Sequence, residues 1–202
     1  EGGKSSYLDG MPPVTGAAGS IRMTGATFEL ALSSGRLGGA RIDDGVLELT
    51  KDEAGLWTAE LEMVASGGAA QALELLNSPR LGYADRFGIR PQQIGGVIAA
   101  RARFRFPARG GLTPADLEFA AAANLRAIEL PDAFGSFDLT DGSFALQVNA
   151  QRLSIEGTGA INGATAGIVW REEFQPVGAV SSRVTVSGRF DDAAREALGD
   201  DV

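Results

Sequence analysis

The side chains that most often carry catalysis are missing from this sequence, which contains no histidine and no cysteine. That removes Ser-His-Asp triads, imidazole acid–base chemistry, thiolate nucleophiles and the commonest transition-metal ligands together. A serine–lysine arrangement would have to use Lys4 or Lys51, the only two lysines, and both read as solvated: Lys51 adjoins Asp52 and Glu53 at a turn. Gly3-Lys4-Ser5 matches the end of a phosphate-binding loop, but Met11-Pro12-Pro13 follows where that motif needs a helix. Gly157-x-Gly159-x-x-x-Gly163 has the wrong spacing for a dinucleotide and is followed by strand, so turn or bulge glycines are the favoured reading. The acidic pairs Asp43-Asp44, Glu172-Glu173, Asp191-Asp192 and Asp200-Asp201 lack calcium-loop spacing. Two carboxylates joined from distant strands, as in a glycosidase, would be invisible to spacing; turns and a helix cap are favoured. The expectation is a protein that is not an enzyme, with no cofactor and no metal site.

One basic stripe remains. Arg101, Arg103 and Arg105 alternate with Phe104 and Phe106, so the three guanidinium groups project to one side of a strand. Arginine binds phosphate well, which makes lipid headgroup contact one reading. A solvated strand face paired with neighbouring acids is the favoured alternative.

The elements that must position these groups are strands. Phe28, Leu30 and Leu32 share one face of an alternating run, as do Trp57, Ala59, Leu61 and Met63. Ile98, Ala100, Ala102, Phe104 and Phe106 form a third row, Phe144, Leu146, Val148 and Ala150 a fourth, and Val184 with Val186 begins the last. Period-two patterning of this kind predicts antiparallel sheet with one dry and one wet face. Asp44-Gly45, Asp141-Gly142 and Asn162-Gly163 suit tight hairpin turns. Helix is expected over Ala69–Leu76, ended by Asn77 and Pro79, with a further turn in Arg80–Phe87 and another helix over Ala193–Leu198, capped by Asp191 or Asp192.

Composition is consistent with this. The 28 glycines among 202 residues imply many turns, and the net charge of −8 argues against nucleic acid. No stretch has the roughly 20 apolar residues of a membrane-spanning helix. The chain reads as an excised segment whose anchor or export signal would lie outside it. Its expected organisation is a β meander over 1–66, a short helical connection over 67–96, a second meander over 97–190 and a helix opening a further unit over 191–202. Val64-Ala65-Ser66-Gly67 resembles Val186-Ser187-Gly188-Arg189, and Asp44-Gly45-Val46-Leu47-Glu48-Leu49 resembles Asp141-Gly142-Ser143-Phe144-Ala145-Leu146, hinting at an internal repeat.

From about Gly67 onward, Leu81-Gly82-Tyr83-Ala84, Phe87-Gly88-Ile89 and Pro91-Gln92-Gln93-Ile94-Gly95-Gly96 resemble the repeated β domain of YhdP-type proteins in the bacterial AsmA-like family. The Gly157–Trp170 hairpin and Val186–Asp191 add to the likeness, which covers some two thirds of the chain. The resemblance implies an extended, curved antiparallel sheet with a few short helices, forming a hydrophobic groove. It also implies a periplasmic protein attached to the inner membrane by an anchor outside this segment, moving phospholipid between inner and outer membranes. Acyl chains would then lie on Phe28, Leu30, Leu61, Met63, Phe104, Phe106, Phe144, Leu146 and Val148. The alternative is a closed-core structural or protein-interaction β domain that binds no lipid. Periodicity does not separate the two.

Overall fold

A computed structural model describes residues 13–76, 90–111, 116–133, 137–174 and 181–189. Ten strands follow one another: β1 (Val14–Met23), β2 (Thr27–Leu37), β3 (Ala40–Lys51), β4 (Trp57–Gly68), β5 (Gly95–Pro107), β6 (Glu118–Leu130), β7 (Leu139–Asn149), β8 (Arg152–Ile161), β9 (Ala164–Glu173) and β10 (Ser182–Gly188). One helix, α1 (Ala69–Leu76), lies between β4 and β5, and a 3₁₀ turn over Pro91–Gln93 leads into β5. All ten strands form one open antiparallel sheet in sequence order, with β1 and β10 at its two edges. The mainly β reading and the α1 boundaries agree with the sequence. The predicted helical turns over 80–87 and 193–198, and Lys4, lie outside the described residues.

The two predicted meanders are a single sheet. β4 and β5 pair continuously from Thr58↔Pro107 to Gly68↔Val97, so the connection carrying α1 leaves the sheet and returns beside its own starting strand.

Two of the three predicted turns are not turns. Asp44-Gly45 lies inside β3 and Asp141-Gly142 inside β7, each at a break in register. Between Ile42↔Ala65 and Asp44↔Val64, β3 carries one residue more than β4, namely Asp43. In β7 three steps from Thr140 to Ser143 face two in β8, and Asp141 has φ 52°. β6 holds a similar bulge at Ala127, φ 49°. At Asp141 the left-handed backbone that an Asp-Gly pair can supply serves a bulge instead of a tight turn, whereas Asp44 and Gly45 keep negative φ within β3. The bulges have a purpose for the pattern: an extra residue re-phases the strand, so Leu125 and Ile128 both keep to the dry face. Asn162-Gly163 is the hairpin turn expected, with both residues at positive φ, 46° and 86°. The repeat signal is correspondingly weak in three dimensions. The matched segments lie on adjacent strands, β3 and β4, in one case and three strands apart, β7 and β10, in the other.

Candidate functional site: one apolar face, closed at one end

The strand registers align every predicted apolar row on the same face. Ile21, Leu30, Leu47, Leu61, Phe104 and Phe119 are successive partners across β1 to β6. At about 4.8 Å per strand, that row runs about 24 Å across the sheet. Leu146, Ile155, Trp170 and Val184 continue the same face across β7 to β10. Phe104 and Phe119 stack with ring centroids 6.4 Å apart. Trp170 donates its indole N–H to Ser182 Oγ at 3.0 Å.

The two ends of this face differ. α1 follows the last residue of β4, and at that end lie the buried residues Leu37, Ala40, Ile42, Ala69, Ile128, Leu139, Ile161 and Ala166. Phe144 and Ile168 join this cluster, and Ile94, Leu125 and Phe137 pack against it. Gly157 makes the packing possible: a Cβ there would stand 2.8 Å from Phe144 Cα, so only glycine lets β8 pass so close.

Away from α1 the same face is half open, although Ala59 and Leu153 are buried there. Phe28, Leu30, Leu61, Met63, Phe104, Phe106, Leu146 and Val148 are all only partly buried. Met23 is 71% exposed and Ile21 65%. Among the described residues no second sheet covers them. Of the nine residues predicted to line a groove, eight therefore sit on a partly exposed apolar strip. Phe144, at 7% exposure, belongs to the closed end instead, because the bulge at Asp141 and the gap over Gly157 draw its ring into the core. Sequence reading missed Ile21, Leu47, Phe119, Ile155 and Trp170. Phe119 is followed by a run of alanines and Ile155 by glycines, which flatten the alternation that would have shown them.

The arginine stripe is on the opposite, wet face. Arg103 and Arg105 stand across from Glu62 and Glu60. Arg103 reaches Glu60 at 3.2 Å and Glu62 at 3.3 Å, and Arg105 reaches Glu60 at 3.4 Å. Exposed pairs like these contribute about 0–1 kcal/mol each, so they order side chains more than they stabilise the sheet. Arg101 faces Val64 and Ala122 and makes no ion pair among the described residues. An acyl chain on the apolar strip would have the whole sheet between it and this stripe.

Lys51 is solvent-exposed and sits 5.9 Å from the centre of the Trp57 ring, with no serine hydroxyl hydrogen-bonded to it among the described residues. Asp43 receives a hydrogen bond from Ser66 Oγ at 2.6 Å and pairs with Arg41, fixing the β3 bulge. The described residues hold no group of three acidic side chains placed to share a metal ion, and no helix among them is long and apolar enough to cross a membrane. No family model, curated protein or solved structure matches this chain.

Proposed function

We propose that the half-open part of the apolar face holds phospholipid acyl chains, and that the chain is a periplasmic segment of an AsmA-like lipid-transport protein. The observation that carries this reading is the alignment of apolar rows from all ten strands on one side of a sheet whose main buried cluster lies at the α1 end. The resemblance at Pro91–Gly96 supplies the family, the compartment and the anchor. No catalysis is involved.

The energetics suit transport. Full burial of a methylene is worth about 0.8 kcal/mol, so an open sheet covering half of it contributes about 0.4 kcal/mol. Ten methylenes then give about 4 kcal/mol, before the cost of immobilising the chain is subtracted. Such a surface retains lipid weakly enough for it to slide along the strip. One leaflet's acyl layer is about 15 Å deep, which matches about three strands of the sheet.

A closed-core interaction domain is the second reading, and the buried cluster beside α1 favours it for that end. In this case a protein partner covers the exposed strip. Organic extraction of the purified chain followed by mass spectrometry separates the two. The lipid reading expects phospholipid to co-purify with the wild type and to be lost from a Leu61→Glu/Phe104→Glu variant that remains folded by circular dichroism. Wild-type protein free of lipid, and unable to take up a fluorescent phospholipid from vesicles, would sink it.

A further inference from the structure

On the wet face, strands β5 to β9 line an open depression of about 530 Å³ bordered by Arg101, Arg103, Arg152 and Arg171, with Glu173 the only acid lining it among the described residues. Alanine and serine leave room beside the arginines, and Gln147 and Asn149 of β7 complete the floor. Arg101 and Arg103 stand opposite Ala122 and Ala120, and Arg171 stands opposite Ser154. Four guanidinium groups against one carboxylate is a local reversal of sign in a chain of net charge −8.

These arginines are also poorly neutralised. Among the described residues, only Arg103 of the four makes ion pairs, both with β4 glutamates outside the depression. Arg152 stands opposite Glu173 in register without a salt bridge to it. Beyond them, Arg171 faces Arg183 directly across the β9–β10 ladder. Like charges in directly opposed strand positions are destabilising. Unpaired arginines gathered over small residues, with a like-charge pair at the margin, are the arrangement that an external anion would relieve.

We infer that this depression binds a phosphate group. A carboxylate occupies one guanidinium fork, whereas phosphate presents enough oxygens for several arginines at once. The group is free phosphate or part of a lipid headgroup, and the arginines that would hold it project from the face opposite the apolar strip.

The test titrates inorganic phosphate into the ¹⁵N-labelled chain at low salt and follows the arginine Nε–H resonances. In parallel, the chain is sedimented with phosphatidylcholine vesicles and with vesicles containing an equal part of phosphatidylglycerol. An Arg152→Gln/Arg171→Gln variant should bind phosphate about tenfold more weakly, while Arg36→Gln, on β2 and remote from the depression, should bind as the wild type does. Both substituted arginines are exposed, and an unchanged amide spectrum reports that the fold is kept. Phosphate binding accompanied by arginine-dependent binding to the anionic vesicles assigns the site to headgroups; phosphate binding alone assigns it to free oxyanions. Absence of phosphate binding, or binding that survives the double variant, overturns the site. Neither outcome alters lipid co-purification, which reads the opposite face.

Discussion

Phe144 and Phe104 are chemically identical and lie on the same face of the same sheet, so truncating each to alanine measures how closed each end is. Phe144 is 7% exposed and packed among Ile128, Leu139 and Ile168. Phe→Ala at a buried site costs about 3–5 kcal/mol, transfer and cavity terms together, so about 4 kcal/mol is expected. Phe104 has lost only part of its surface to neighbours, and the space left by its removal is open to solvent. Its transfer term is then about half as large and its cavity term small. With the Phe119 stacking added, about 2 kcal/mol is expected. Urea unfolding followed by the fluorescence of Trp57 and Trp170 reads both losses in one sheet. With a slope near 2 kcal/mol/M, the midpoints should fall by about 2 M for Phe144→Ala and about 1 M for Phe104→Ala. Equal losses would refute the reasoning, since they would mean that the strip away from α1 is as fully enclosed as the core.

Three further outcomes follow from the backbone and the ion pairs. Gly163→Ala should cost about 1 kcal/mol although nothing lies near its Cβ position, because φ is +86°, and a thermal melt will show it; Gly110→Ala, which also has open space and no positive φ, is the neutral control. Gly157→Val should cost at least about 3 kcal/mol or abolish soluble expression, since its side chain would enter β7 at Phe144; retained stability in urea would contradict the close approach of the two strands. A double-mutant cycle on Glu60→Gln and Arg105→Gln should give a coupling below about 1 kcal/mol that fades in molar salt, and a larger, salt-resistant value would contradict their exposure.

The strands were legible because alternation is written directly in the residues, and α1 because Ala69 and Leu73 fall one helical turn apart before Asn77 and Pro79. The bulges were not. Asp141-Gly142 carries the same local signal as a hairpin, and only the partner strand reveals that Leu139 and Thr140 already belong to the ladder. The distinction between the closed and open ends was equally hidden. Phe144 opens its row and Phe104 stands near the far end of its own, and only the register, which sets Phe144 level with Leu125 and Ile98, places Phe144 at the closed end. The neutralisation of Arg103 and Arg105 was half visible. Glu60 and Glu62 have the matching two-residue spacing, but register is needed to set them opposite. The arginine cluster was half visible as well: Arg101 and Arg103 alternate along one strand, but only the sheet brings Arg152 and Arg171 of β8 and β9 to the same depression.

The strictly sequential strand order has a consequence for how the molecule comes together and apart. Every strand's ladder partners are its immediate predecessor and successor in the chain, so formation can begin at one hairpin and propagate outward without closing a large loop, apart from the α1 connection. Stability in such an array approximates a sum of neighbour-to-neighbour terms, as in solenoids. Amide protons should therefore exchange in order of distance from the edges. β10, seven residues long and exposed throughout, opens first, and the strands beneath α1 open last.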